Sequence, residues 1–267
     1  RIRSLPDYAY VRRINRPRKL HQERQLDRIE LMLTEEDRAV YDWQLEVPGL
    51  GEDGQERLRD TTALISRIGG LGGPVAFALA AAGIGKLILA HAGNLRKDDL
   101  NRQILMRWEG LGKPRVQSAE QTLTAFNPGI EIETHEENLN EENAADLVKK
   151  ADLVFSCAPL FEERFLMNRE CVRQGKPMID CAMYNLDGHV LPILPGETPC
   201  LACMFPEPPP HWKRRFPVIG AVSALVANAG VMEGLKLAAG FGTSNLGKMM
   251  LIDADRLSIN KISVKRR

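Results

Sequence analysis

A glycine-rich turn between two apolar segments constrains this chain more than any other feature. The turn is Gly69-Gly-Leu-Gly-Gly73; residues 63–68 before it have the pattern of a buried strand, and residues 74–82 after it that of a helix. Pro74 stands near the first helical position, where a missing N–H costs nothing. Residues 86–90 predict a second buried strand. The segment is therefore a βαβ unit, and connectivity rules make its two strands parallel.

The alternation of strands and helices continues through the middle of the chain. Further elements are predicted, helix and strand in turn, over residues 113–126, 130–134, 143–150, 152–156, 162–174 and 177–180. This order predicts an α/β fold with a Rossmann-like, doubly wound and mostly parallel sheet that helices cover on both faces. Beyond residue 184, a short β region, a proline-rich loop, an apolar helix over residues 219–239 and two last strands predict a C-terminal antiparallel extension.

Charge divides the chain into a short basic segment and a larger body. Residues 1–20 hold seven Lys or Arg and one Asp, whereas the net charge of the whole chain is only +1. We predict a basic N-terminal arm and helix over residues 1–40, with helices over residues 31–38 and 41–58 and a helix cap at Thr34. The near-zero net charge argues against nucleic-acid binding. No stretch reaches the roughly 18 apolar residues of a membrane helix, so a cytoplasmic protein without a membrane partner is expected.

The glycine turn alone does not identify a ligand. Glycines between a strand and a helix let a phosphate approach the backbone and the helix N-terminus. The spacing is not a strict G-x-G-x-x-G, because Arg67 stands where a first glycine would be, and no acid follows the second strand at residues 90–93. The missing acid argues against an NAD-dependent dehydrogenase. Close packing of the strand on the helix is the alternative explanation for the glycines.

Six motifs in a fixed order carry more information than the turn. They are Gly69-Gly-Leu-Gly72, Ala81-Ala-Gly-Ile-Gly85, Asp99-Leu-Asn-Arg-Gln103, Leu111-Gly-Lys-Pro-Arg115, Phe126-Asn-Pro128 and Pro199-Cys-Leu-Ala-Cys203. In order and spacing they resemble the ThiF/MoeB/HesA family of bacterial relatives of the ubiquitin-activating enzymes, and especially its HesA-type members. The resemblance runs from about residue 41 to residue 253 and implies an adenylation domain over residues 41–267.

The resemblance implies a homodimeric adenylyltransferase that uses ATP and Mg²⁺. Its substrate would be the C-terminal glycine of a ubiquitin-like sulfur-carrier protein, or a peptide C-terminus, in cofactor or metallocluster biosynthesis. Cations on the phosphate oxygens and a held metal favour attack of a carboxylate on the α-phosphate. By correspondence, Arg102 and Arg115 are the candidate catalytic residues, and Arg102 is expected to enter the neighbouring active site of the dimer. The corresponding nucleotide-binding residues are Gly69, Gly70, Gly72, His91, Asp98, Asp99, Asn101 and Gln103.

Three positions depart from the family pattern. The ribose-binding aspartate falls on His91, the phosphate-binding lysine on Arg115 and the metal-binding aspartate on Pro159. Arg115 keeps the charge, but histidine lacks the paired acceptors of a carboxylate, and proline offers Mg²⁺ no side-chain oxygen. Acids that could replace the lost metal ligand are Asp98, Asp99, Glu162, Glu163 and Asp180. Two functions stay open: an active adenylyltransferase, and a catalytically degenerate, dimeric carrier-binding module with a vestigial nucleotide pocket.

Cysteine spacing indicates half of a metal site. Cys200 and Cys203 have the C-x-x-C spacing that suits tetrahedral Zn²⁺. In the family that the chain resembles, a second C-x-x-C completes the site, and none follows in this sequence. A half zinc site that is completed beyond this sequence, a site whose metal has been lost, and two unliganded thiols are therefore the alternatives. The other three cysteines, at positions 157, 171 and 181, are expected in the core.

Overall fold

Eight β-strands form one mixed sheet at the centre of the protein. The structure is a computed structural model that describes residues 33–207 and 215–267. Its strands are β1 (Thr62–Ser66), β2 (Lys86–Ala90), β3 (Glu131–His135), β4 (Leu153–Ser156), β5 (Met178–Tyr184), β6 (Asp187–Ile193), β7 (Lys248–Asp253) and β8 (Ser258–Ser263). Their order across the sheet is β3-β2-β1-β4-β5-β6-β7-β8.

The sheet has a parallel half and an antiparallel half. Strands β3, β2, β1, β4 and β5 pair in parallel, and β6, β7 and β8 continue the sheet in antiparallel pairs. Strand order reverses between β1 and β4, which makes the parallel half doubly wound. The predicted α/β class, its mostly parallel Rossmann-like sheet and its C-terminal antiparallel extension are confirmed.

Helices cover both faces of the sheet. They are α1 (Glu35–Leu45), α2 (Gly51–Arg59), α3 (Gly72–Ala81), α4 (Arg115–Phe126), α5 (Ala144–Lys150), α6 (Phe161–Gln174), α7 (Leu201–Met204) and α8 (Gly220–Ala239). Apolar side chains of α2, α3, α4 and α8 join one buried cluster, and those of α5, α6 and α7 join a second. The cysteines at 157, 171 and 181 are buried among these clusters, as predicted. Buried strands with helices on both faces are what a near-continuous apolar strand sequence requires.

Helix α8 lies close against the sheet through its glycines. A Cβ at Gly230 would clash with the Cys181 thiol, and one at Gly234 would clash with the Phe155 ring. Among the described residues, α8 is the one helix that is long and apolar enough to cross a membrane by length and composition, but half of it is buried inside the fold. A core helix of a globular protein passes the same test.

The N-terminal helices differ from the prediction. Helices over residues 31–38 and 41–58 were expected, whereas α1 spans the expected gap and a turn at residues 46–50 separates it from α2. Thr34 caps α1 as predicted, in a capping box with Asp37. The prediction of one long second helix is wrong because Gly49, in the turn, has a positive φ angle of 85°, which the interior of an α-helix does not contain, and α2 begins only at Gly51, whose φ angle is 59°. Residues 1–32 of the predicted arm lie outside the described residues.

Candidate functional site

A cleft opens at the carboxyl ends of the parallel strands, beside the reversal of strand order between β1 and β4. Ligands of open α/β sheets bind at such a point because the loops that follow neighbouring strands run in opposite directions and leave a crevice. Residues that follow β1, β2, β4 and part of β5 line the cleft. They include Arg67, His91, Pro159 and Ala182.

Seven of the ten residues predicted to bind nucleotide or act in catalysis line this cleft: Gly69, Gly70, His91, Asp99, Arg102, Gln103 and Arg115. The other three lie beside it rather than in it. Gly72 begins α3, Asp98 is exposed and ion-paired with Arg96, and Asn101 is exposed and accepts a hydrogen bond from Arg102 Nη1 at 2.8 Å. Sequence motifs that are far apart along the chain therefore meet at one site.

The glycine loop serves two purposes at two positions. A Cβ on Gly70 would lie 3.2 Å from Arg102 Cγ and Cδ and 3.3 Å from Ser223 Oγ, so a side chain there would press on the cleft. A Cβ on Gly72 would lie 2.5 Å from the carbonyl oxygen of Arg67, which is backbone and cannot yield easily. Gly72 thus permits close packing within the turn, whereas Gly70 keeps space open beside Arg102.

Arg67 has an unusual backbone conformation. Its φ angle is 57°, in the left-handed region that glycine adopts freely and that costs other residues about 1–2 kcal/mol. Two backbone hydrogen bonds hold it there: its N–H donates to Ala90 O at 2.8 Å, and its carbonyl oxygen accepts from Gly69 N at 2.6 Å. The substitution of arginine for a first glycine, noted in the sequence, thus places a charged side chain in strained backbone at the edge of the cleft.

Glu163 of α6 holds the Arg67 side chain by one nitrogen. Arg67 Nε donates to Glu163 Oε2 at 2.7 Å, and this is the one hydrogen bond that the Arg67 side chain makes with the described residues. Burial raises the pKa of Glu163 above its ordinary value, although the Arg67 guanidinium acts against that shift. Both terminal nitrogens of Arg67 are therefore left for a ligand or for water.

Asp99 is the centre of a second group in the cleft. It is 4% exposed. Its carboxylate accepts from Arg115 Nη2 at 2.6 Å, from Gln103 Nε2 at 2.7 Å and from the Arg96 backbone N–H at 3.0 Å, and Arg102 Nη2 lies 3.6 Å away. Arg115 Nη1 donates in addition to the carbonyl oxygen of Ala92 at 3.2 Å. Arg115 Nε also donates to Asp99 at 3.2 Å, so all three guanidinium nitrogens of Arg115 are engaged within the chain and Arg115 orients Asp99.

Arg102 keeps more of its hydrogen-bonding capacity. Its Nη1 donates to the carbonyl oxygen of Asp98 at 2.6 Å and to Asn101, while its side chain is 25% exposed. The resemblance predicted that Arg102 enters the neighbouring active site of a dimer, but here it lines the cleft of its own chain. The chain therefore supplies a guanidinium beside the glycine loop from its own Arg102. The expectation that Arg102 enters the active site of the other subunit in a dimer stays a prediction.

A third group is buried beneath the cleft. Arg164 of α6 donates from Nε to Asp180 Oδ1 at 3.0 Å and pairs with Oδ2 of the same carboxylate. Ser156 Oγ donates to Asp180 at 2.9 Å, and His189 Nε2 lies 3.2 Å from it. Burial disfavours the ionised carboxylate, but the Arg164 guanidinium and His189 outweigh that effect and hold the pKa of Asp180 well below its ordinary value. The pair is a closed unit whose charges cancel.

The residues present do not fit a bound Mg²⁺, the metal that the resemblance implies. Mg²⁺ takes oxygen ligands in near-octahedral geometry, including carboxylates. Within the described residues, Asp99 is the one carboxylate that lines the cleft, and it already accepts hydrogen bonds from three groups. Pro159 supplies no side-chain oxygen at the position expected for the metal ligand.

The other acids weighed as substitute metal ligands are also unsuited to that role. Glu163 and Asp180 are each paired with an arginine. Asp98 is paired with Arg96 and lies outside the cleft, and Glu162 is exposed and lines a neighbouring acidic pocket. No carboxylate of the described chain thus replaces the one lost at Pro159.

The cysteine pair lies away from the cleft. Cys200 precedes α7 and Cys203 lies within it, with their Sγ atoms 3.8 Å apart, and the Arg267 backbone N–H lies 3.4 Å from Cys203 Sγ. Burial raises the pKa of Cys203, but backbone groups at Arg267 and Cys200 outweigh that effect and lower it below its ordinary value. In the part of the chain that the structure describes, no group of three or more His, Cys, Asp or Glu side chains could hold a metal ion. The expectation of Zn²⁺ at Cys200 and Cys203 is therefore not supported.

Sequence reasoning missed three contributors to this site. Arg67 was noted only as a departure from a glycine pattern, and Arg164 and Ser223 were not singled out, although all three line the cleft. A local signal existed for two of them. An arginine inside a glycine-rich turn and an arginine in the first turn of a helix that follows a buried strand are both placed where parallel strands end.

Comparisons with known proteins give matches over most of the chain. A sequence profile described as "ThiF family" matches residues 41–267. The chain is 45% identical over 229 residues to "Protein HesA, heterocyst" of Trichormus variabilis, covering 86% of each chain. It is 35% identical over 242 residues to the "Sulfur carrier protein adenylyltransferase" of Thermus thermophilus, covering 87% of this chain and 89% of that one.

A solved structure shows the same fold at lower identity. The crystal structure of Escherichia coli MccB with MccA-N7isoAsn matches with a TM-score of 0.78 and 23% identity, covering 89% of this chain and 74% of that one. At this identity the match supports the fold.

Proposed function

The chain belongs to the ThiF family, and we propose that it binds ATP and adenylates the C-terminal glycine of a ubiquitin-like sulfur-carrier protein. An oxygen of the carrier's C-terminal carboxylate attacks the α-phosphorus of ATP, and the bond to the bridging oxygen of the leaving pyrophosphate breaks. The products are the carrier acyl-adenylate and pyrophosphate. The relative from Thermus thermophilus carries this activity in its name.

One observation carries the proposal: the glycine loop and Arg102 meet in one cleft at the reversal of strand order. The backbone of Gly70 comes so close to the stem of Arg102 that only a glycine fits without displacement. A loop of this kind brings backbone N–H groups and the N-terminus of α3 to an anion. The guanidinium of Arg102 then lies beside the same anion and stabilises the charge that grows on the phosphate oxygens.

Each remaining residue of the cleft has a role in this proposal. Arg115 and Gln103 hold Asp99, and Asp99 in turn fixes the loop that carries Arg102. Gln103 Oε1 is buried and has no hydrogen-bond partner among the described residues, so it is an acceptor for a nucleotide hydroxyl or amino group. His91 occupies the expected ribose end, where an imidazole nitrogen can bond a single hydroxyl.

We include homodimer formation and a cytoplasmic location in the proposal. Leu225 and Met232 of α8 are seven residues apart, on one face of the helix, and are 36% and 44% exposed. Apolar side chains at that spacing on a core helix suit contact with a second copy of the chain. Oligomeric state in analytical ultracentrifugation tests this part of the proposal separately from catalysis.

Exchange of labelled pyrophosphate into ATP tests the proposed reaction. With a ubiquitin-like carrier that ends in Gly-Gly, exchange should depend on the carrier and disappear when its last glycine is deleted. The Arg102→Ala variant should lose about 10²–10³-fold in exchange rate, the usual effect of removing one charge-stabilising group. Arg173→Gln, an exposed arginine on α6, is the matched control and should leave the rate unchanged.

The opposite result would favour the second function. Absence of exchange together with absence of ATP binding, in a protein that still binds the carrier, would identify a carrier-binding module with a vestigial pocket. The loss of a metal-ligating acid at Pro159 is the observation that keeps this alternative in view.

A further inference from the structure

We propose that the cleft binds its nucleotide without a divalent cation and that the Arg67 guanidinium takes the place of the metal on the phosphates. The inference rests on the proposed function, since it concerns how the same cleft receives ATP. Adenylation needs positive charge near the phosphates, which a metal ion usually supplies. In this cleft the carboxylates that could hold a metal are already paired with arginines.

The first step is the distribution of charge. Four arginines line the cleft; the carboxylates of Asp99, Glu163 and Asp180 each pair with one of them, which leaves an excess of one positive charge. A site for Mg²⁺ carries negative ligands that need the cation for neutrality. This cleft has the opposite balance, and a polyphosphate can enter it without a metal to offset its charge.

The second step compares the four arginines by the guanidinium nitrogens that still lack a hydrogen-bond acceptor in the described chain. Arg115 uses all of its nitrogens on Asp99 and Ala92, and Arg164 uses Nε and Nη2 on Asp180. Arg102 is partly engaged with the backbone of its own loop. Arg67 alone among the four binds the described chain through Nε only, so both of its terminal nitrogens are available.

The third step is the position of Arg67. It is joined to the glycine loop by the hydrogen bond between its carbonyl oxygen and Gly69 N, so the two move as one turn. Glu163 binds Nε from the neighbouring acidic pocket, which Arg67 also lines, so Arg67 borders both that pocket and the cleft. Arginine bonds phosphate oxygens with two parallel N–H groups, which matches the two nitrogens that remain.

The fourth step is the backbone. A non-glycine residue with a φ angle of 57° persists where the surrounding structure holds it, and such strain concentrates at ligand sites. Glycine would adopt this conformation without strain. An arginine in this strained position is explained if its side chain binds the ligand. Apart from the contact with Glu163, its side chain makes no hydrogen bond with the described residues.

Calorimetric titration of the full chain tests the inference. ATP should bind in excess EDTA with a dissociation constant within about threefold of that measured with Mg²⁺. Arg67→Gln should weaken binding in EDTA by about 10- to 100-fold, the loss expected for hydrogen bonds to a charged group. Arg173→Gln is the control for loss of a charge outside the cleft and should bind as the unaltered chain does.

A second variant guards against a folding defect. Arg67→Lys keeps the charge but lacks the two parallel N–H groups, and it should show an intermediate loss of affinity with an unchanged far-ultraviolet circular dichroism spectrum. Binding that is more than about 100-fold weaker in EDTA than with Mg²⁺, or an Arg67→Gln variant that binds ATP normally in EDTA, overturns the inference and leaves the proposed function standing.

Tripolyphosphate separates the two proposals in the other direction. Binding of tripolyphosphate in EDTA that depends on Arg67, without binding of ATP, would support the arginine site and overturn the proposed function. Failure of both ligands to bind under either condition overturns both proposals.

Discussion

Two neighbouring residues of α6, Glu163 and Arg164, each pair with a residue of opposite charge from the sheet, and the two pairs behave differently. Arg164 and Asp180 are 2% and 0% exposed in their side chains and form a closed network with Ser156 and His189. The pair of Arg67 with Glu163 uses one guanidinium nitrogen and lies at the edge of the cleft. The Arg164–Asp180 pair, which we call the closed pair, is fully bonded in the interior. The Arg67–Glu163 pair, which we call the open pair, leaves guanidinium nitrogens that a ligand can bind.

The pKa values separate the pairs in the same way. The pKa of Asp180 is held below its ordinary value because the Arg164 guanidinium and the hydrogen bond with His189 outweigh burial. The pKa of Glu163 is raised because burial outweighs the effects of Arg67 and of the Leu139 backbone, which both lower it. Pairing is therefore complete at Asp180 and incomplete at Glu163, and the Arg67 guanidinium keeps both terminal nitrogens for a further partner.

The largest expected effect comes from breaking the closed pair. Asp180→Asn keeps the shape of the side chain but leaves Arg164 buried without its counter-charge, which costs about 3–5 kcal/mol of unfolding free energy. Urea denaturation at pH 7 measures the loss. Because the folded-state pKa of Asp180 is lowered, its stabilising contribution is fully present above about pH 3.8 and disappears as the pH falls through the lower folded value.

Arg173→Gln is the control for this first prediction. Arg173 pairs with Glu170 on the same helix but is 60% exposed, and removal of such a pair changes stability by about 1 kcal/mol or less. If Asp180→Asn were as stable as this control, the closed pair would carry no more stability than a surface pair, and the contrast between the two pairs would fail.

Sequence reasoning predicted most of the fold because each element carries its own periodicity. Strand β2 was predicted with the bounds that the structure shows, and the order of strands and helices through α6 is as expected. The break between α1 and α2 was missed because it depends on positive φ angles at two glycines. Apolar periodicity on both sides gives no sign of such a break.

The site was predicted less completely, and the two pairs show why. The motifs of the family resemblance correctly identified seven residues that line the cleft. They do not predict which side chains pair with one another. Arg67 and Glu163 are 96 residues apart, and Arg164 and Asp180 are 16 apart. Pairings of this kind depend on which strands are neighbours in the sheet, which a single sequence does not reveal.

An intermediate effect is expected from Arg67→Gly. Glycine relieves the left-handed strain, which stabilises the folded chain by about 1–2 kcal/mol. Its extra conformational freedom in the unfolded chain destabilises the folded chain by about 0.5–1 kcal/mol. The contact with Glu163 is lost. Loss of the partner of the buried Glu163 carboxylate costs about 1–3 kcal/mol, which the relief of strain offsets in part. The unfolding free energy should therefore fall by about 1–2 kcal/mol, less than for Asp180→Asn, while ATP affinity falls as for Arg67→Gln. Thermal and urea denaturation measure the first effect.

Leu257→Gly is the control for the backbone part of this second prediction. Leu257 also has a left-handed backbone, with a φ angle of 52°, and its side chain makes little contact because the residue is 81% exposed. Substitution there should give the relief of strain without the loss of an ion pair. A loss of several kcal/mol for Arg67→Gly, with none for Leu257→Gly, would mean that Arg67 is a structural residue like Arg164.

The smallest effect is expected from Glu163→Gln, and it appears in the pH dependence of stability. Because burial raises the folded-state pKa of Glu163, the folded chain binds more protons than the unfolded chain above about pH 4.5. The unaltered chain should therefore lose unfolding free energy relative to Glu163→Gln as the pH rises from about 4.5 through the folded value, with a slope below about 1.4 kcal/mol per pH unit, the limit for one group. Urea titrations of both proteins between pH 4 and pH 8 measure the difference. Saturating ATP should extend the decline to higher pH, because phosphates on Arg67 disfavour the ionised carboxylate and raise the pKa of Glu163 further. A slope of the opposite sign would show that Glu163 is as fully paired as Asp180.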